Sequence, residues 1–199
     1  MRSVPFALAA MVAMAVPAVA EAADPAVAPV QALDDGLIAI MKAGKAAGVK
    51  GRASRIAPVI DRTFDLPLMT RLAVGSAWNG IAPADQKALV AAFRRLTIAQ
   101  YADNFDGWSG QSFSIDPNVQ ARGSDRLVRT TLKSPGEAPV AIAYRLRQDG
   151  GAWKIIDVFY KNSISQLATR RSDFASVLAS GGAKALISHL DALSAKAGG

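Results

Sequence analysis

The chain has 199 residues, of which 51% are hydrophobic, and its formal net charge is +7 at pH 7. It has no cysteine, so disulfides and a cysteine-linked lipid anchor are excluded. One histidine, His189, and two glutamates leave few groups for a hydrolytic triad or a metal site. This composition favours a protein that binds something over an enzyme, and it calls for no cofactor.

The N-terminal 20 residues have the pattern of a secretory signal peptide. Arg2 supplies the positive charge, an apolar stretch runs from Val4 to Val16, and Ala18-Val19-Ala20 is a small-x-small cleavage site. The apolar stretch is shorter than the roughly 20 residues of a membrane span. We therefore expect residues 1–20 to be removed and residues 21–199 to form a single domain in the periplasm, with an uncleaved anchor as the alternative. Export argues against nucleic acid as a partner of the basic surface.

Helical periodicity begins after an Ala/Pro-rich stretch at 21–29, which we expect to be flexible. Apolar residues recur at i, i+4, i+7 and i+8 from Leu33 to Met41 and predict a first helix. A Gly/Lys/Ala linker follows over 44–51. A second helix is predicted over 53–64, and Pro58 either begins it or kinks it.

Two more helices are predicted before residue 110. Asp65 is a suitable N-cap for a short helix that ends near Gly75. The longest helix spans about 82–105, and its apolar and aromatic residues form a wide stripe along one side.

From residue 112 the hydrophobic period changes from 3.6 to 2. Strands are predicted at 112–115, 119–122, 127–133, 140–148 and 153–160, with a hairpin turn at Asp149-Gly150-Gly151. Two helices over about 163–179 and 182–195 close the chain. This order predicts an α+β fold in which helices pack on an antiparallel sheet.

Three isolated carboxylates are the candidate catalytic residues. Asp61, Asp65 and Asp157 lie among apolar residues and could serve an envelope hydrolase. Helix caps and buried hydrogen bonds explain them at least as well. Asp34 and Asp35 are adjacent, and neighbouring helical residues do not share a face, so we interpret them as a solvated pair near the start of the helix.

Four segments, taken in order and spacing, resemble the MlaC-like family of periplasmic lipid-binding proteins, also called the toluene-tolerance family. The segments are 64–72 with Gly75 and Trp78, 93–96 with Tyr101, 144–147 leading into 153–158, and 170–174 followed by Gly181-Gly182 and Leu186. The segment 163–174 and Trp108 are more similar to the hopanoid-associated branch, HpnM, than to the phospholipid branch.

The resemblance implies a soluble carrier that takes a hopanoid or a phospholipid between the inner and outer membranes. It also implies an inner-membrane transport complex of ABC or RND type as the partner, transient contact with membranes, and a curved sheet that encloses an apolar lipid cavity with the helices. A non-enzymatic adaptor that binds a membrane complex through its basic surface, with a fully packed interior, is the second hypothesis.

Candidate cavity residues come from the apolar stripe of the long helix, from the strands and from the last helices. For each of them plain core packing is the alternative, because periodicity does not distinguish a cavity wall from a filled interior. Met69 and Leu72 are candidates for a movable lid, and Arg170-Arg171 for contact with a partner or an anionic head group. The candidate lining residues are Phe93, Leu96, Tyr101, Phe105, Trp108, Val140, Ile142, Tyr144, Val158, Phe159 and Leu167.

Overall fold

The computed structural model describes residues 23–198, so the predicted signal peptide at 1–20 lies outside the described residues. Within 23–198, no helix combines the length and the apolar character that crossing a membrane requires. The helices are α1 (Val27–Ala43), α2 (Gly48–Thr63), α3 (Leu66–Val74), α4 (Pro83–Asn104) and α5 (Gln166–Ala197). The strands are β1 (Ser112–Ile115), β2 (Gln120–Arg122), β3 (Asp125–Lys133), β4 (Val140–Asp149), β5 (Ala152–Tyr160) and β6 (Ile164–Ser165).

The six strands form one open antiparallel sheet in the order β1-β3-β4-β5-β6, and β2 pairs with the first residues of β3. Asp149 pairs with Ala152 across the turn, where Gly150 and Gly151 take φ values of 54° and 89°. Glycine accepts positive φ at no steric cost, which explains the turn at this point. The predicted α+β fold and the predicted hairpin are confirmed.

A β-bulge interrupts β5. Arg145 pairs with Asp157 and Leu146 pairs with Ile155, so Ile156 has no partner in the ladder. A bulge offsets the alternation of side chains, and Ile155 and Ile156 are therefore both buried although they are consecutive. The bulge thus explains why two consecutive residues of this strand are apolar.

The sheet is joined to the helices through the corner between α2 and α3. Phe64 forms an isolated parallel bridge with Ile155, and the Asp65 amide donates a 2.9 Å hydrogen bond to the Ile155 carbonyl. By contrast, α4 packs on α2, α3 and α5 rather than directly on the strands. The core is one cluster to which all five α-helices and strands β3 to β5 contribute.

Several element boundaries differ from the sequence-based prediction. The first helix already begins at Val27, where the Asp24 side chain accepts from the Ala26 amide, so the predicted flexible stretch is partly helical. The predicted linker at 44–51 is a 3₁₀ turn followed at once by α2, which runs through Pro58. Pro58 and Ser54 are both exposed, so the Ser54 carbonyl that loses its helical donor can be hydrated.

The two predicted C-terminal helices are one element, α5, with a break at Gly182, whose φ is 66° and ψ −163°. Two residues that were predicted to start the first of these helices instead form β6 and pair with the end of β5. The start of α5 is fixed by Asp157, which accepts hydrogen bonds from the Ser165 hydroxyl at 2.6 Å and from the Leu167 amide at 3.0 Å. The same carboxylate accepts from the Val158 amide at 2.8 Å.

We predict that Asp157→Ala lowers the free energy of unfolding by about 1–3 kcal/mol, because three donors at a buried position lose their acceptor. Urea unfolding followed by circular dichroism measures the change. Asp103→Ala, at an exposed position of α4, is the control and should change stability by less than about 0.5 kcal/mol. Equal losses in the two variants would contradict the assigned role.

Candidate functional site

A cavity of about 530 Å³ lies between the sheet and α4. It occupies the space that α4 leaves by packing on the neighbouring helices instead of on the strands. Its volume is within the range of roughly 300–1,000 Å³ that is typical of small-molecule sites. The lining residues are Leu37, Phe64, Met69, Phe93, Thr97, Gln100, Tyr101, Asn104, Phe105, Leu132, Val140, Ile142, Tyr144, Val158, Tyr160, Gln166 and Arg170.

The sheet supplies one wall of the cavity through alternate residues of three strands. Tyr144 pairs with Val158, and Ile142 pairs with Tyr160, so these side chains project to the same face, which we call the inner face. The register brings the residues into one apolar surface. The wall consists of Leu132, Val140, Ile142, Tyr144, Val158 and Tyr160.

Helix α4 supplies the opposite wall. Phe93, Thr97, Gln100, Tyr101 and Asn104 follow the helical repeat and lie on one side of the helix. The hydroxyl of Thr97 donates to the Phe93 carbonyl at 2.8 Å, so its polar group is satisfied within the helix. This wall is therefore apolar at Phe93 and becomes more polar toward Asn104.

Three aromatic rings stiffen one side of the cavity. The rings of Tyr101 and Phe105 stack with 5.9 Å between centroids, and Phe64 meets Tyr101 edge-on, also at 5.9 Å. Aromatic pairs in these geometries add to the stability that burial alone gives. The cavity wall is thus held in a defined shape by the α2–α3 corner and the end of α4.

Arg170 is the single charged residue in the cavity lining. Its Nη2 donates to Gln100 Oε1 at 2.6 Å, and the guanidinium lies 5.1 Å from the centre of the Phe93 ring. Burial lowers the pKa of Arg170. Arg170 forms no salt bridge with any carboxylate of residues 23–198. A charge in this setting is costly without an anion, so the site is suited to an anionic group.

Asp34 is a buried carboxyl group on α1, contrary to the interpretation of Asp34 and Asp35 as a solvated pair. Its side chain is 1% exposed, and neither oxygen has a hydrogen-bond partner among the described residues. Burial, with a smaller effect of Asp35, raises the pKa of Asp34 to about 8. Its position three residues before Leu37 places it on the buried face of α1, a spacing from which burial could have been predicted.

Eight of the predicted lining residues do line the cavity, and five lie elsewhere. Phe159 follows Val158 and therefore projects to the outer face of the sheet. Leu72 and Leu167 face a separate cleft beside Ile156, so Leu72 does not share the cavity with Met69 as the predicted lid required. The eight are Met69, Phe93, Tyr101, Phe105, Val140, Ile142, Tyr144 and Val158.

The other two residues lie outside the cavity for different reasons. Leu96 is fully buried in the core, on a part of α4 that packs against other helices. Trp108 is 48% exposed, its ring lies 5.1 Å from Lys42 Nζ, and its Nε1 donates to the Gln111 carbonyl at 3.0 Å. Half of the lining residues that the sequence did not single out are polar, and they were missed because a polar residue on an amphipathic helix is expected to face solvent. These are Thr97, Gln100, Asn104 and Gln166, and the other half are Leu37, Phe64, Leu132 and Tyr160.

The three candidate catalytic carboxylates have structural partners. Asp61 forms a bidentate salt bridge with Arg94, with both N–O distances 2.6 Å. Asp65 caps α3 by accepting from the Leu68 amide, and Asp157 fixes the start of α5. The cavity lining contains no Asp, Glu or His, and no group of three or more potential metal ligands occurs within residues 23–198.

Comparison with known proteins relates this architecture to one family. The family model described as MlaC protein matches residues 31–192. The solved structure of a phospholipid-binding protein from Ralstonia solanacearum, in complex with a phospholipid, is 26% identical in sequence and superposes with a TM-score of 0.72. The match covers 86% of this chain and 98% of that chain. Among curated protein sequences, none matches the chain.

We predict that Asp34→Asn makes stability less dependent on pH. The pKa of Asp34 is about 8 in the folded protein, whereas an unfolded Asp releases its proton near pH 4. The stability linked to this proton is present below about pH 4 and is lost as the pH rises to 8. Relative to the wild type, the variant should therefore gain up to about 1.4 kcal/mol per pH unit between pH 5 and 8.

Urea unfolding at pH 5, 6.5 and 8 measures this difference. The exposed neighbour offers the control, since Asp35→Asn leaves the buried carboxyl in place and should follow the wild-type curve closely. Parallel curves for wild type and Asp34→Asn would show that Asp34 titrates normally.

Proposed function

The chain belongs to the MlaC protein family, and from this membership we propose that it is a periplasmic carrier that takes a lipid between the inner and outer membranes. The observation that carries the proposal is the apolar cavity with one unpaired cation in its lining. The relative from Ralstonia solanacearum supports it, because that protein binds a phospholipid with the same fold.

The physical requirement for such a carrier is to keep hydrocarbon out of water. Each exposed CH₂ costs about 0.8 kcal/mol, so a diacyl lipid in water is unfavourable by roughly 20 kcal/mol or more. The aromatic and aliphatic walls on α4 and on the inner face of the sheet offer an apolar surface to the tails. Binding of this kind requires no catalytic residue.

The polar groups of the lining indicate the orientation of the cargo. Arg170 and Gln100 are hydrogen-bonded to each other, and Gln166 and Asn104 lie one helical turn from Arg170 and Gln100, respectively. These residues bring hydrogen-bond donors into an otherwise mostly apolar lining. Guanidinium binds phosphate through paired, charge-assisted hydrogen bonds. We therefore propose that the tails fill the apolar part and that the phosphate of the head group meets Arg170.

This orientation favours a phospholipid over a hopanoid as cargo. A hopanoid has a polycyclic apolar body and a neutral polar end, which would leave Arg170 without an anion. The sequence similarity of 163–174 to the hopanoid-associated branch keeps hopanoid as the second candidate. Trp108, the other residue behind that similarity, lies outside the cavity.

We further propose that the carrier exchanges its cargo with an inner-membrane transport complex of ABC or RND type. The formal charge of +7 suits an acidic partner or an anionic membrane surface. The adaptor hypothesis requires a fully packed interior, and the cavity of about 530 Å³ favours the carrier instead.

We expect the purified mature protein to retain lipid in near-stoichiometric amount, measured by organic extraction and mass spectrometry. Val158→Trp should reduce the retained lipid severalfold, because the larger ring occupies part of the cavity. Phe159→Trp is the matched control, because Phe159 is the next residue of the strand and faces a groove on the outer face of the sheet.

Phospholipid in the extract would identify the cargo, and a hopanoid would move the protein to the other branch. A protein that purifies empty and takes up neither lipid in a transfer assay would refute the carrier proposal. Equal retention by the two tryptophan variants would place the lipid outside this cavity.

We also expect Arg170→Gln to weaken binding of phosphatidylglycerol by roughly tenfold, the effect of losing one charge-assisted contact. Binding of diacylglycerol, which lacks the phosphate, should change much less. Displacement of a fluorescent lipid analogue measures both affinities. Arg171→Gln is the control, because Arg171 is exposed and faces the separate cleft. Equal losses for the two lipids would contradict the assignment of the phosphate to Arg170.

A further inference from the structure

An exposed apolar pair lies at the edge of the cavity. Tyr160 and Ile164 are partners across β5 and β6, and they are 42% and 49% exposed, respectively. Tyr160 also lines the cavity, whereas Ile164 does not. The pair therefore continues the apolar lining outward onto the protein surface.

The turn between the two strands is tight. Lys161 and Asn162 have φ values of 52° and 58°, and the Ser163 amide donates to the Tyr160 carbonyl at 3.3 Å. Positive φ at both central residues is the feature of type I′ turns, and it is unfavourable for a lysine.

We propose that residues 160–164, which we call the rim hairpin, dock the mouth of the cavity onto an anionic lipid bilayer. The inference rests on the proposed carrier function, and it adds direct exchange of cargo with a bilayer to the proposed exchange with a transport complex. Tyrosine is suited to the boundary between head groups and hydrocarbon, since its ring is apolar and its hydroxyl is polar. Ile164 can enter the acyl region, and Lys161 can remain at the level of the anionic head groups.

The position of the rim hairpin favours a bilayer over a protein as the occupant. Because Tyr160 belongs both to the hairpin and to the lining, a bilayer that covers the hairpin also covers the cavity edge. A lipid can then pass between bilayer and cavity without exposing its tails to water. The charges agree, because Arg170 in the lining and Lys161 on the hairpin both attract anionic lipid.

The test is flotation of the lipid-loaded, full-length mature protein with vesicles of phosphatidylglycerol and phosphatidylcholine. Ile164→Ser should weaken vesicle binding roughly fivefold, and Ile164→Trp should strengthen it. Lys161→Gln should reduce the preference for vesicles that contain phosphatidylglycerol over vesicles of pure phosphatidylcholine. Leu193→Ser, which removes a 37% exposed leucine near the end of α5, is the matched control and should bind like the wild type.

Circular dichroism and lipid extraction on every variant separate this proposal from the carrier function. The proposal is supported if all variants retain lipid and vesicle binding increases from Ile164→Ser to the wild type to Ile164→Trp. Retained lipid with equal vesicle binding by the Ile164 variants would overturn it. The proposal would also be overturned if the wild type did not bind vesicles and Ile164→Ser impaired only transfer to a purified protein complex. The hairpin would then be a contact with a protein.

Discussion

Strand β5 is the element to which the helical layer is attached, and the shape of the cavity depends on that attachment. The Ile155 carbonyl accepts the hydrogen bond from the corner between α2 and α3, and the Asp157 carboxylate accepts from the start of α5. The bulge residue Ile156 lies between these two positions. Two helical connections are thereby fixed within three residues of one strand, while α4 bridges them without touching the sheet closely. The cavity is the space beneath that bridge.

The cavity lining carries charge of one sign only, because Arg170 is its single charged residue. With the pKa of Asp34 at about 8, this carboxyl group is mostly protonated near neutral pH, so it offers no negative charge to the interior. Arg170 remains positive because its guanidinium keeps its proton at any physiological pH. The anionic cargo proposed above would supply the counter-charge that Arg170 lacks among the salt bridges of residues 23–198.

Local sequence was sufficient to predict the first four helices and strands β1 to β5 in their order, because hydrophobic period, Asp65 as a cap and the Gly-Gly turn are properties of short segments. It missed the two-residue strand β6 and divided α5 into two helices at Gly182. It was insufficient for the site. Phe93 and Leu96 belong to one apolar stripe, yet the first faces the cavity and the second the filled core. That difference is set by how far α4 stands from the strands, which is a property of the whole fold. The sequence also did not show which of Arg170 and Arg171 faces the cavity, because consecutive residues of a helix point about 100° apart and the orientation of α5 is set by its packing.

Because side chains alternate between the two faces along the end of β5, the cavity is more sensitive to the number of residues in this segment than to their types. A substitution at Val158 or Tyr160 changes the size or polarity of the cavity by degrees. Gain or loss of a single residue after Asp157 would instead exchange the faces and direct Phe159 inward. A change of cargo can therefore proceed through replacements on this strand, whereas an insertion or deletion within it would rebuild the cavity wall.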